Sequence, residues 1–157
     1  MTSQELFDHV GEVVRGSTPP ALGALHLRVH GRGIKAWLGG PEPAREHYEA
    51  QLIGADLVAG AAAQALEIGF HAEHRQEADN EAVLVRLRAA EGVWRGALGL
   101  EPVAGAFLGR DGWRRVSEVW PDPDLRGADV AFEIGVRLME YMRALEPHRA
   151  PVAGRSV

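Results

Sequence analysis

Four segments of this chain alternate between apolar and polar side chains with a period of two: residues 25–30, 34–38, 47–53 and 66–73. One set is apolar: Leu25, Leu27 and Val29, then Ile34, Ala36 and Leu38, then Tyr48, Ala50 and Leu52, then Leu66, Ile68 and Phe70. The complementary set is polar: His26, Arg28 and His30, then Lys35 and Trp37, then His47, Glu49 and Gln51, then Glu67, His71 and Glu73. Successive side chains on a strand point to opposite faces, so the pattern predicts four strands that share one apolar and one polar face.

The remaining segments carry helix and turn signals. Thr2 and Glu5 have the spacing of a capping box, and Leu6, Phe7, Val10, Val13 and Val14 form an apolar stripe that Gly16 ends. Gly31-Arg32-Gly33 suits the tight turn of a hairpin. Residues 44–74 also admit a helix, because Tyr48, Leu52, Ala55, Val58, Ala62, Ala65, Leu66 and Gly69 fall near helical spacing. The alternation through Glu67–Glu73 and the glycines at 54, 60 and 69 favour two strands instead, His47–Ile53 and Ala65–His74. A helix over 79–98 follows, capped by Asp79 or Asn80, with Val83, Leu84, Leu87, Ala90, Trp94 and Leu98 inward. Ala106–Leu108 and Trp113–Trp120 read as a second hairpin, and residues 127–145 as a last helix with Ala131, Ile134, Leu138, Met142 and Leu145 inward.

The expected order is α-β-β-β-β-α-β-β-α. Runs of consecutive strands with segregated helices imply an α+β fold: an antiparallel sheet of four or more strands, with two helices, 79–98 and 127–145, packed on its apolar face. The 157 residues suffice for one domain with a real core, taken as 1–145, leaving 146–157, with Pro147, Pro151 and Gly154, as a frayed tail.

Composition narrows the chemistry. There is no cysteine, which excludes disulfides and thiolate ligands. The net charge of −5 makes nucleic acid an unfavoured partner without excluding it. Met1–Gly16 lacks the layout of a signal peptide and no segment has the length and apolarity of a membrane span, so a cytoplasmic location and no membrane partner are expected. No phosphate loop, cofactor fingerprint or nucleophile elbow is present, so no cofactor is assigned and the catalytic residues, if any, are unknown.

The polar face is the place to look for function. Antiparallel sheets commonly leave one side to water, which alone accounts for such alternation. The expected partner is a second copy of the chain, with this face as the homodimer interface and Trp37 as an anchor that needs cover; the same face would also suit a protein or small-molecule ligand. It holds four of the seven histidines, and the candidate binding residues are Arg28, Trp37, His47, Glu49, Glu67 and His71. His26 and His30 are four strand residues apart, too far for one ion, and His74 points away from His71. A metal site would need cross-strand partners such as His47, Glu49, Glu67 and His71, a donor set suited to zinc or manganese. That spacing matches no ligand motif, so no metal is assigned. Acid–base chemistry would need a pair such as Glu67 with His47.

Glu49-Ala50-Gln51 is similar to the acidic-x-basic pair of restriction-type nucleases, with glutamine in the place of lysine and without a clear equivalent of the preceding aspartate. Leu25–Val29, the glycine turn, Ile34–Leu38, Leu66–Phe70 and the helix from Asn80 to Leu98 resemble in layout an uncharacterised prokaryotic domain attached to some restriction-type nuclease modules, over residues 22–120. The resemblance implies a defence or DNA-processing context and no site residues. The expected function is a binding or interaction domain rather than an enzyme, the alternative being a metal-dependent hydrolase or nuclease-like enzyme on the His/Glu-rich face.

Overall fold

The computed structural model describes residues 1–149. Helix α1 (Ser3–Ser17) precedes four consecutive strands, β1 (Leu25–His30), β2 (Gly33–Leu38), β3 (Glu46–Gly54) and β4 (Gln64–Ala72). Helices α2 (Glu77–Ala89) and α3 (Glu91–Leu98), a hairpin of β5 (Val103–Phe107) and β6 (Arg110–Pro121), and helix α4 (Val130–Arg149) complete it. The six strands form one antiparallel sheet in the order β1-β2-β3-β4-β6-β5. The α+β class and the antiparallel sheet are as the alternation predicts. The helical alternative for residues 44–74 does not occur.

The registers keep the two side-chain sets apart. Val29 lies opposite Ile34, Ile34 opposite Ala50, Tyr48 opposite Phe70, and Phe70 opposite Val116. These side chains form the floor of the core, and the helices cover it. Leu6, Phe7, Val10 and Val14 come down from α1, Val83, Leu84 and Leu87 from α2, Trp94 and Leu98 from α3, and Ile134, Leu138, Tyr141, Met142 and Leu145 from α4. Burying each large aliphatic or aromatic side chain is worth about 1.5–3 kcal/mol, so this layer supplies most of the drive to fold.

Four details differ from the sequence reading. First, α1 also packs on the sheet and against α4, so the cover is not two helices alone. Gly135 of α4 permits that contact: a methyl group there would come within 2.6 Å of the Val13 side chain. Second, the helix expected over 79–98 is two helices, broken at Ala90 (ψ 13°). The Leu87 carbonyl at the break accepts the Trp94 indole N–H at 2.7 Å and the Ala90 N–H at 3.1 Å. The inward stripe survives the break, which is why the sequence does not reveal it. Third, α2 begins at Glu77, so Asp79 and Asn80 are not its cap. Buried Asn80 instead accepts from the His74 N–H and donates to the carbonyls of His74 and Gly112, tying the β4–α2 loop to β6. Fourth, α4 continues through Glu146–Arg149, residues assigned to the tail. Glu146 accepts from the Tyr48 hydroxyl at 2.8 Å, and Arg149 bridges Glu146 and Glu46, each at 2.8 Å. Those bonds hold the last turn on the sheet despite Pro147. The rest of the expected tail, 150–157, lies outside the described residues.

One glycine shapes the polar side of the sheet. Gly69 stands in β4 between Glu67 and His71, opposite Glu49 on one side and Ser117 on the other, with φ of +154°. A β-carbon there would overlap the Val116 carbonyl oxygen and lie 2.6 Å from the Ser117 Cβ. Both the dihedral and the close approach of β6 therefore require glycine. Gly69→Ala is expected to cost about 3 kcal/mol or more through strain and overpacking. Urea unfolding checks it: a midpoint unchanged from the parent chain contradicts this account.

Candidate metal centre

The antiparallel pairing of β3 and β4 sets His47 directly opposite His71. Glu49 is two residues beyond His47 and Glu73 two residues beyond His71, so all four side chains project from the polar face. Because the strands run in opposite directions, the two carboxylates lie on opposite sides of the histidine pair. The arrangement is a nearly two-fold ring in which nitrogen and oxygen alternate. His47 Nε2 is 3.1 Å from Glu49 Oε1 and 3.5 Å from Glu73 Oε2; His71 Nδ1 is 3.3 Å and 3.4 Å from the same two oxygens. All four donor atoms lie within 4.8 Å of one another. A point equidistant from donors so separated is about 2.0 Å from each in a tetrahedral arrangement and about 2.3 Å in a square one, the range of zinc–ligand bonds and slightly beyond.

The far nitrogen of each ring fixes which atom faces the centre. His47 Nδ1 donates to the Ala44 carbonyl at 2.9 Å. His71 Nε2 donates to Glu67 at 2.7 Å, and Glu67 is itself held by the Gln51 amide at 3.0 Å. Both outer acceptors are proton acceptors only, so each ring, once it gives up its inner proton, presents a lone pair inward. Metal-bound histidines characteristically make such an outer hydrogen bond to a carbonyl or carboxylate. Glu73 is placed by its N–H, which bonds the Arg45 carbonyl at 2.8 Å.

The cluster is sheltered. His71 is fully buried, His47 and Glu67 are 1 % exposed, and Glu49 is 7 % exposed. Phe107 meets the His71 ring edge-on at 4.6 Å, and Trp113 meets Phe107 at 5.6 Å, walling off the β5–β6 side. Leu57, between β3 and β4, reaches Gly109 in the turn between β5 and β6. His71 Nδ1 makes no well-directed hydrogen bond among the described residues, although it stands 3.3 and 3.4 Å from the carboxylate oxygens of Glu49 and Glu73. A buried polar atom without a well-directed bond is uncommon and needs a cause.

Charge balance points the same way. Burial opposes the imidazolium of His71, but Glu67, Glu49 and Glu73 outweigh it and hold its pKa well above the ordinary value. His47 is raised too, with Glu49 and Glu73 overcoming its burial. Burial opposes the charged carboxylates of Glu49, Glu67 and Glu73, yet the histidines, with Gln51 and Ser117 at Glu67, hold all three below the usual range. Positive charge between these groups is strongly favoured, and a cation supplies it as a proton does.

Of the candidate binding residues, the structure brings together His47, Glu49, His71 and Glu67. Glu67 pairs with His71 and not with His47, because it lies on the same face of the same strand four residues away. Arg28 is exposed on β1, two strands from the ring. Trp37 is also apart from it, and it is covered. It is only 5 % exposed, stacks on His26 at 5.6 Å and donates its indole N–H to Gly40 at 3.0 Å. The exposed indole that argued for a homodimer is therefore already covered within the chain. The face does not simply meet water either, since its centre over β3 and β4 is buried. His74 turns away, as expected, and bonds Glu46 at 2.7 Å.

The alternation places Glu73 on the polar face without marking it as a binding residue, and it carries no sign of the supports from Ala44, Gln51 and Ser117. A signal for Glu73 exists: His47-Tyr48-Glu49 and His71-Ala72-Glu73 are the same His-x-Glu triplet, once on each of two neighbouring strands. Among the described residues no helix is long and apolar enough to cross a membrane. Comparison with protein-family models, with curated proteins and with solved structures finds no match for this chain.

Proposed function

We propose that this protein is a metal-binding domain that takes one divalent first-row ion, zinc foremost, through His47 Nε2, Glu49, His71 Nδ1 and Glu73. The observation that carries the reading is the convergence of two outward-tethered imidazoles on a point flanked by two carboxylates, with His71 Nδ1 buried and making no well-directed hydrogen bond among the described residues. Two nitrogens and two oxygens suit zinc, while calcium and magnesium prefer oxygen alone. The expected binding domain thus acquires a ligand class, and the His/Glu face of the hydrolase alternative becomes an ion site.

The ion is exchangeable in this reading. Three of its ligands lie on two strands that already hydrogen-bond to each other along their whole length, and Glu73, the residue after β4, continues the pairing through its N–H to the Arg45 carbonyl. An ion between them closes no new loop and holds no element that would otherwise be loose. The chain should therefore fold without it, unlike small zinc domains whose folding depends on the metal.

Chelator-treated protein is expected to keep its circular dichroism spectrum and to take up one zinc per chain by elemental analysis. Saturation at about 100 times Kd adds about 2.7 kcal/mol, a rise in Tm of several degrees. His71→Ala should weaken uptake about a hundredfold or more while remaining folded. Failure of the parent chain to bind zinc, or uptake undiminished in the His47→Ala/His71→Ala double variant, overturns the reading.

Glu67 is a positioning residue, acting through the His71 ring. Glu67→Gln retains an acceptor for that ring but removes the charge, and should lower zinc affinity about 10- to 100-fold. Competition against a fluorescent chelator measures it. An unchanged affinity in a folded variant would show that the outer carboxylate has no part in binding.

A further inference from the structure

Arg115 lies on β6 directly opposite His71, so its side chain leaves the sheet on the same face as the metal ligands. It is only 8 % exposed, yet among the described residues it forms no ion pair. Its Nε donates to the Ala106 carbonyl at 3.4 Å, and its Nη1 to the Ser117 carbonyl at 3.2 Å and hydroxyl at 3.0 Å. Nη2 has no partner among the described residues. Burial of this guanidinium is only partly offset by the nearby Glu67 carboxylate, and its fork geometry suits a further carboxylate or phosphate. Across the ring, on β2, Lys35 stands opposite Glu49 in register, and it too makes no ion pair among the described residues. The ion site is therefore flanked on both neighbouring strands by cations that form no ion pair among the described residues.

Solvent access is uneven around the ring. The side chains of Glu49 and Glu73 are 9 % and 14 % exposed, while those of His47 and His71 are 1 % and 0 %. The approach to the centre lies past the carboxylates. Zinc can accept a fifth ligand beyond four protein donors. On the β6 side Phe107 and Trp113 exclude water, which strengthens an electrostatic contact made there.

We propose that the metal-loaded site binds an oxyanion, a phosphoryl or carboxylate group that coordinates the ion and is anchored by Arg115, with Lys35 drawing it in. This rests on the metal-binding reading above and adds the class of its ligand. Phosphate and carboxylate share the required chemistry: a negative oxygen for the ion and a second for the guanidinium.

Cobalt(II) serves as the spectroscopic probe. Cobalt-loaded protein is titrated separately with inorganic phosphate and with acetate, following the d–d absorption. A saturable spectral change with phosphate supports a phosphoryl ligand, and one with acetate a carboxylate ligand. Arg115→Lys keeps the charge but not the fork and should weaken the responding anion about tenfold or more. Metal-free protein should bind that anion more weakly by a similar factor.

If cobalt fails to bind, the metal reading itself falls. If cobalt binds and the spectrum is silent to millimolar phosphate and acetate, the oxyanion proposal falls alone. Equal anion affinity in folded Arg115→Lys, or in the metal-free protein, overturns the bridging geometry. Should Arg115→Lys not fold, the side-chain ¹⁵Nε resonance of Arg115 in the zinc-loaded parent protein decides: a shift on adding the responding anion supports the anchor, and an unmoved resonance overturns it.

Discussion

The register of β3 against β4 is the constraint on which the rest depends. It pairs Tyr48 with Phe70 and Ala50 with Ile68 on one side, and His47 with His71 and Gln51 with Glu67 on the other. Side-chain period and strand pairing are coupled, so a slip of one residue would exchange the faces. Phe70 and Ile68 would then face the polar side, and Glu67 and His71 would lie under α4. The hydrophobic side of the sheet sets this register with many residues at once. The polar ring inherits it, and four donor atoms meet without having to specify the pairing themselves.

The two faces are held by different physics. The apolar face is stabilised by area removed from water and is covered by all four helices. Where it carries a charge, the charge is closely paired. Glu118 accepts from Arg137 and Tyr141, each at 2.7 Å, and from the Trp120 indole at 2.8 Å, tying α4 to β6. The polar face is held by oriented hydrogen bonds that leave charge unbalanced at its centre. Glu49, Glu67 and Glu73 crowd two histidines, and only a proton or another cation relieves them. A sheet that merely met water would not need Glu67, at 1 % exposure, to pin a fully buried imidazole. Three supports surround the ring: the Ala44 carbonyl, the Gln51–Glu67 pair, and the backbone bond from Glu73 to Arg45. Side chains locked this way would lose little freedom in taking an ion.

Much of the fold is legible along the chain, because period-two alternation and capping signals are local. The Thr2–Glu5 capping box forms as read, with both of its hydrogen bonds, and the two side-chain sets fall on opposite faces as sorted. The break at Ala90 is not legible, since Trp94 bonds a carbonyl seven residues earlier without disturbing the apolar stripe. Nor is the persistence of α4 past residue 145: it depends on Tyr48, 98 residues away from Glu146, and on Glu46, 103 residues from Arg149.

The sequence by itself determined the strands, the approximate places of the helices, the separation of faces and the set of polar residues from which a site could be drawn, because each follows from neighbours a few positions apart. Only the tertiary structure decided which of those residues meet. It seats Trp37 under the glycine turn at Gly39 and Gly40 and leaves Arg28 in solvent, because local turn geometry and distance from the sheet centre govern both. It joins Glu67 to His71 along one face of β4 rather than to His47 on β3, and it draws in Glu73 and Arg115 because strand order and register bring those side chains to the two histidines.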